Sequence, residues 1–203
     1  EMVKTAIENR QNLIVEGCSK SSSSTATIAA AQCRKFAQGR KTVLLLGGRG
    51  EIGGRILKDL ISYPEFEIYA ASRSERWEPP APESVTVIRY EKRYDYLDRA
   101  DIVISATRSP GLTVEADRVP AGKKRLFLDL AVPRDIDGRL SERPDSELIS
   151  IDDLERLAQE NNERKRQELG AAEAILSKEL DNLQKELTFH TLFPSLTAGE
   201  EVR

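Results

Sequence analysis

An α/β fold, a doubly wound parallel sheet followed by a long C-terminal helix, is predicted by three observations. Short apolar runs alternate with helical stretches through the middle of the chain. A glycine-rich turn joins the first run to the first amphipathic stretch. A charged, nearly glycine-free run with helical periodicity fills the C-terminal quarter. Strands that are apolar on both faces and alternate with helices imply a parallel sheet covered on both sides, and right-handed crossovers then give the doubly wound layout.

The elements follow in chain order. Residues 1–39 form a polar segment and an Ala-rich helix. In residues 24–39, Ala26, Ala29, Ala30, Cys33 and Ala37 recur at helical steps, with Ser24 or Thr25 as the cap and Gly39 as the stop. Residues 40–150 form the α/β domain. Its strands are expected at 42–46, 67–71, 85–88, 101–105 and 126–130, with a weaker sixth at 148–150. A helix over 51–61 carries Ile52, Ile56, Leu57 and Leu60 on one face. Residues 151–203 form a long helix and a tail. Ser150 precedes the acidic turn Ile151-Asp152-Asp153, and Leu154, Leu157, Leu169, Leu176, Leu180, Leu183 and Leu187 extend an apolar stripe. A helix of about 39 residues is roughly 58 Å long, more than a domain of this size covers. Part of the stripe is therefore expected to pair with a second copy of the chain as a homodimer.

Composition narrows the function classes. The 203 residues are 39% hydrophobic and 32% charged, enough apolar material for one core. A net charge of −3 argues against a strongly basic nucleic-acid binder. No apolar run reaches the roughly 18 residues of a membrane helix, so no membrane partner is expected. Cys18 and Cys33 make neither a disulfide framework nor a zinc site, His190 is a lone histidine near the tail, and no metal centre is expected. The expected compartment is cytoplasmic, with both thiols reduced. The chain opens on Glu1 rather than Met, which leaves room for a longer parent protein.

The chemistry gathers at strand ends. Gly48-Arg49-Gly50-Glu51-Ile52-Gly53 lies between the first strand and its helix, the context in which a G-x-G-x-x-G string signals dinucleotide binding in a Rossmann-like fold. Gly48 is assigned to the tight turn, Gly50 to the close approach of a pyrophosphate, and Gly53 to close helix–strand packing. The phosphates are expected on the N–H groups at the helix start. Ala71-Ser72-Arg73-Ser74 ends the second strand. A carboxylate there would bind the ribose hydroxyls of NAD, whereas Arg73, helped by the hydroxyls of Ser72 and Ser74, suits the 2′-phosphate of NADP(H). Ala106, Thr107 and Arg108 follow the fourth strand. Thr107 is placed near the nicotinamide ribose, and Arg108 faces either an anionic substrate group or solvent. In Asp129-Leu130-Ala131-Val132-Pro133-Arg134-Asp135-Ile136-Asp137, Asp129 or Asp135 acts as an acid/base or, the favoured reading, forms a loop-stabilising salt bridge with Arg134. No catalytic residue is assigned.

Several of these segments resemble glutamyl-tRNA reductases. Leu45 to Gly53 is similar to that family's cofactor loop, Ala71-Ser72-Arg73-Ser74 to its Asn-Arg-Thr strand end, and Ser105-Ala106-Thr107 to its Ser-Ser-Thr. Asp129 to Ile136 is the most specific match. Ile151 to Leu154, Asn162 to Lys165 and Ala172 to Ile175 resemble the start of the family's spinal helix, and Ser21 to Ala31 its entry into the cofactor domain. The resemblance implies NADPH-dependent reduction of a glutamyl thioester on the route to tetrapyrroles (porphyrin biosynthesis), glutamyl-tRNA as a partner, and dimerisation through the helix. The family's Ser-Thr-Cys-Asn-Arg segment is not found in this sequence, Cys18 lies in Glu16-Gly17-Cys18-Ser19, Arg49 stands where the family has Ala, and Arg108-Ser109 replaces Gly-Ala. Three functions stay open: a reductase with a separate catalytic partner, a precorrin-2-type NAD(P)-dependent dehydrogenase, and a non-catalytic nucleotide-binding accessory module.

Overall fold

The computed structural model describes residues 24–74, 77 and 80–192. The segments around Cys18 and after residue 192, including Phe193-Pro194 and Gly199, lie outside the described residues. The chain divides into two units, residues 1–159 and 160–203.

In the first unit, helix α1 (Thr25–Phe36) begins on Ser24, whose hydroxyl accepts the Thr27 N–H at 3.3 Å. It stops at Ala37, earlier than Gly39, which instead takes φ +83° in the following loop. Strand β1 (Lys41–Leu46), helix α2 (Glu51–Leu60), β2 (Phe66–Ser72) and β3 (Val85–Arg89) build one half of the sheet. A short helix α3 (Arg93–Leu97), β4 (Ile102–Ser105), β5 (Arg125–Asp129) and β6 (Ser146–Ser150) build the other. All five pairings are parallel, in the order β3-β2-β1-β4-β5-β6. The order reverses between β1 and β4, the switch point at which open α/β sheets place their ligands.

Alternation along each strand explains the apolar runs. Val43, Leu45, Ile68, Ala70, Ile102, Ile104, Leu126 and Leu128 face one core with α1 and α2. Leu44, Leu46, Ala71, Val103 and Phe127 face a second core with Leu97, Val114, Ile136 and Leu140. Both faces being covered, the central strands carry no polar face, and β1, β4 and β5 are buried almost throughout. Arg125, at the start of β5, is a buried cation. It is 1% exposed, and its guanidinium donates to the carbonyls of Pro120 (2.7 Å), Lys123 (3.3 Å) and Asp98 (3.2 Å). Burial lowers its pKa.

Helix α4 (Ile151–Leu192) starts with a reciprocal cap. The Ser150 hydroxyl accepts the Asp153 N–H, and the Asp153 carboxylate accepts the Ser150 N–H (3.2 Å) and hydroxyl (2.7 Å). Its first two turns belong to the first unit, where Leu154, Leu157 and Ala158 join the α1–α2 core. In the second unit, Ile175, Leu176, Leu183, Leu187 and Phe189 are exposed. Among the described residues, no helix is long and apolar enough to cross a membrane.

Candidate dinucleotide site

The turn after β1 is built by glycines for steric reasons, and the key one differs from the sequence expectation. Gly47, not Gly48, takes the left-handed conformation (φ +83°). A Cβ on Gly47 would lie 2.4 Å from the Ala106 carbonyl oxygen. The tight turn therefore falls one residue earlier, because β1 ends at Leu46 and the chain must reverse at once beneath the β4 end. Gly53 is fixed by the same loop, since a Cβ there would lie 2.4 Å from the Gly47 oxygen. Gly50 caps α2, and a Cβ on it would enter the space beside the Gly47 (3.2 Å) and Ala106 (3.6 Å) carbonyls. The first N–H groups of α2, those of Glu51, Ile52 and Gly53, have no partner within the helix and carry its positive dipole end. Arg49 is exposed beside them, and Glu51 pairs with Arg55 at 2.8 Å.

The β2 end stands next to this turn. The Ser72 hydroxyl donates to the Ser74 carbonyl (2.9 Å) and accepts the Ser74 N–H (3.2 Å), so its part is to shape the loop that presents Arg73. Arg73 and Ser74 are exposed. Burial pushes the Tyr90 phenol up from its ordinary value, and the positive charges of Arg93 and Arg73 oppose the rise; the β2 end lies beside the β3 end, Ser72 pairing with Arg89. Arg93 is itself held between the rings of Tyr90 (4.2 Å) and Tyr94 (4.5 Å).

The β4 end is organised by Asp135. Its Oδ2 accepts the Ser105 hydroxyl (2.7 Å), the Thr107 N–H (3.1 Å) and the Thr107 hydroxyl (2.7 Å), while its buried Oδ1 has no hydrogen-bond partner among the described residues. Its carbonyl accepts the Thr113 and Val114 N–H groups. Asp129 gathers the next loop by accepting the N–H groups of Ala131, Asp135 and Ile136. Burial raises the Asp129 pKa, and these three N–H groups oppose the rise. The expected pairing with Arg134 is thereby corrected. Arg134 is exposed, no ion pair joins it to either aspartate, and its charge instead favours ionised Asp153. Backbone N–H groups meet the buried carboxylates because the loop curls over them, with a cis peptide at Val132–Pro133.

The structure thus brings Gly48, Arg49, Gly50, Glu51, Ile52 and Gly53 together with Ala106 and Thr107 at the strand ends, with Ser72 at the end of β2 and Arg73 and Ser74 just after it on the flank. Arg108 lies exposed beyond Thr107. Sequence reasoning missed Gly47, the hold of Asp135 on Thr107, and Trp77, whose ring lies 3.1 Å from where a Gly48 Cβ would be. The doubled glycine Gly47-Gly48 was the available signal for the first. Cys33 is fully buried on α1 as expected, and burial pushes its thiol up to about 12.

The geometry fits a dinucleotide. A Cβ-free cradle faces N–H groups that have no partner within α2, and a cationic strand end stands beside it.

Comparison with known proteins agrees with this layout. The model of the shikimate / quinate 5-dehydrogenase family matches residues 28–157. Glutamyl-tRNA reductases of Archaeoglobus fulgidus and Methanopyrus kandleri are 33% and 35% identical over 154 and 156 residues, each covering 72% of this chain. The chain spans only 35% and 38% of their lengths. The solved Methanopyrus kandleri glutamyl-tRNA reductase superposes with a TM-score of 0.67 at 30% identity, over 81% of this chain and 44% of that one. The nucleotide binding domain of Thermoplasma volcanium glutamyl-tRNA reductase shares the fold, with a TM-score of 0.53 at 23% identity over 70% of this chain and 96% of that domain. With its doubly wound sheet, its glycine cradle and these matches, the chain belongs to the shikimate / quinate 5-dehydrogenase family and is glutamyl-tRNA reductase-like within it.

Proposed function

We propose that the chain binds NADP(H) across the β1–β4 switch point and serves an NADPH-dependent reduction of the glutamyl-tRNA reductase type, in tetrapyrrole precursor metabolism. The observation that carries the reading is the cradle of Gly47, Gly50 and Gly53 beside a β2 end whose described residues, Ala71 to Ser74, offer Arg73 and no carboxylate. The N–H groups at the start of α2 hold the pyrophosphate. Arg73 and the Ser74 hydroxyl take the 2′-phosphate, and Ser72 sets their loop. Asp135 keeps the Thr107 peptide fixed at the nicotinamide half of the site. The bound dinucleotide supplies a hydride. Cys33 cannot serve as an acyl acceptor, being buried and protonated at neutral pH. The acyl-holding group therefore belongs to a part of the protein other than the described domain, or to a separate catalytic partner.

Calorimetric titration tests the cofactor half. NADPH is expected to bind at least about tenfold more tightly than NADH, and Arg73→Ala to abolish most of that preference, as loss of a charge-assisted phosphate contact does. Equal affinities for the two dinucleotides would overturn the NADP(H) assignment. NADPH consumption with glutamyl-tRNA, with and without candidate partners, tests the reaction. The inert Cys33 favours a second reading, an accessory module that binds the nucleotide without turnover. That reading requires NADPH binding with no consumption under any of these conditions.

A further inference from the structure

Trp77, the one tryptophan in the sequence, follows the β2 end and is half-buried. Its ring packs against the α1–α2 core and reaches the glycine turn: a Cβ on Gly48 would meet Leu45 at 2.9 Å and the Trp77 ring at 3.1 Å. The Ser72 hydroxyl closes a tight ring with Ser74 where the chain leaves β2. Gly48 has no side chain, which leaves room for the indole over Leu45. A large aromatic thus bridges the β2 end and the β1 turn. Between these same two elements a doubly wound fold lays the adenosine half of a dinucleotide. An indole combines a flat apolar face with a low entropy of fixation, which suits it to a purine.

We propose that Trp77 is a binding residue for the adenosine half of the dinucleotide, its indole forming the aromatic wall on which the purine ring stacks. The proposal rests on the cofactor reading above and adds to it. Arg73 reads the 2′-phosphate, while Trp77 holds the base regardless of that phosphate. Loss of Trp77 therefore weakens NADPH and NADH alike, whereas loss of Arg73 removes the difference between them.

The test uses the full chain. Trp77→Ala is expected to weaken NADPH and adenosine 2′,5′-bisphosphate by about 5- to 100-fold in calorimetry, the range of one base–aromatic stack. Nicotinamide mononucleotide, which lacks the adenosine half, should bind Trp77→Ala and the natural chain equally. Trp77→Phe should keep most of the affinity. In the natural chain, adenosine 2′,5′-bisphosphate should quench the single indole's emission. Tight NADPH binding that Trp77→Ala leaves unchanged, or a bisphosphate that binds without altering the emission, would overturn the Trp77 assignment and leave the cofactor reading standing. No heat from NADPH with the natural chain would overturn both. Should Trp77→Ala fail to fold, the quenching and the Trp77→Phe titration decide the matter.

Discussion

A carboxylate sealed from solvent persists only where other groups replace its water. At Asp135 the replacement is one-sided: among the described residues, Oδ2 takes three donors and Oδ1 none. Removing the side chain would strip acceptors from the Ser105 and Thr107 hydroxyls and the Thr107 N–H together. Asp135→Ala is expected to cost about 3 kcal/mol in urea unfolding and to weaken NADPH binding, because Thr107 lines the β4 end. Asp135→Asn keeps an acceptor oxygen and should lose less on both counts. Gly47 is the steric counterpart. An alanine there would combine a left-handed φ of +83° with a Cβ 2.4 Å from a backbone oxygen. Gly47→Ala should cost about 2 kcal/mol or more and lower the thermal midpoint. An unchanged midpoint would mean that the turn is looser than its geometry implies.

At the scale of elements, three depressed aspartates tie loops to the sheet. The Arg139 guanidinium holds Asp137 at about 2, and Arg143 holds Asp145 at about 2, the latter also accepting the Gly122 N–H. Ser150 holds Asp153 low at the start of α4. A carboxyl with a lowered native pKa stabilises the fold above its unfolded value of 3.8 and loses that contribution as pH falls toward 2. Asp129 acts in the opposite sense: burial raises its pKa, so its contribution is lost as pH rises through its native value. With three groups against one, the thermal midpoint should fall between pH 4 and pH 2, and Arg143→Gln should flatten that fall. A midpoint constant over this range would contradict the assigned pairs. The strands were legible in the sequence because burial on both faces leaves an unbroken apolar signature, and each lies within a residue or two of its expected place. The glycine cradle was legible because its spacing sits in a strand–turn–helix context. The stretches between β4 and β6 were not. Their conformation is fixed by contacts distant in sequence, such as Asp135 on Thr107 and Arg125 on Asp98, and no local periodicity encodes these. The pairing expected for Arg134 failed for the same reason, since charge proximity in sequence does not say which groups are buried.

For the whole molecule, the open question is what covers the second unit's apolar side chains. Ile175 is 65% exposed and Leu183 53% exposed, on a helical segment whose other residues are mostly polar or charged. Each fully buried leucine or isoleucine gains about 1.5–3 kcal/mol over an exposed one, so a stripe of several favours association at modest concentration. Steps of three and four along Leu176, Leu180, Leu183 and Leu187 match the seam of a two-stranded coiled coil. Homodimerisation through this segment is therefore the expected assembly. Light scattering of the full chain should report twice the mass of one chain, and the double substitution Leu176→Glu/Leu183→Glu should report one. The sheet, both cores and the glycine cradle lie in residues 24–159. NADPH affinity in that variant should therefore be unchanged, which separates assembly from cofactor binding. A dimer that survives both glutamates would move the interface elsewhere on the molecule.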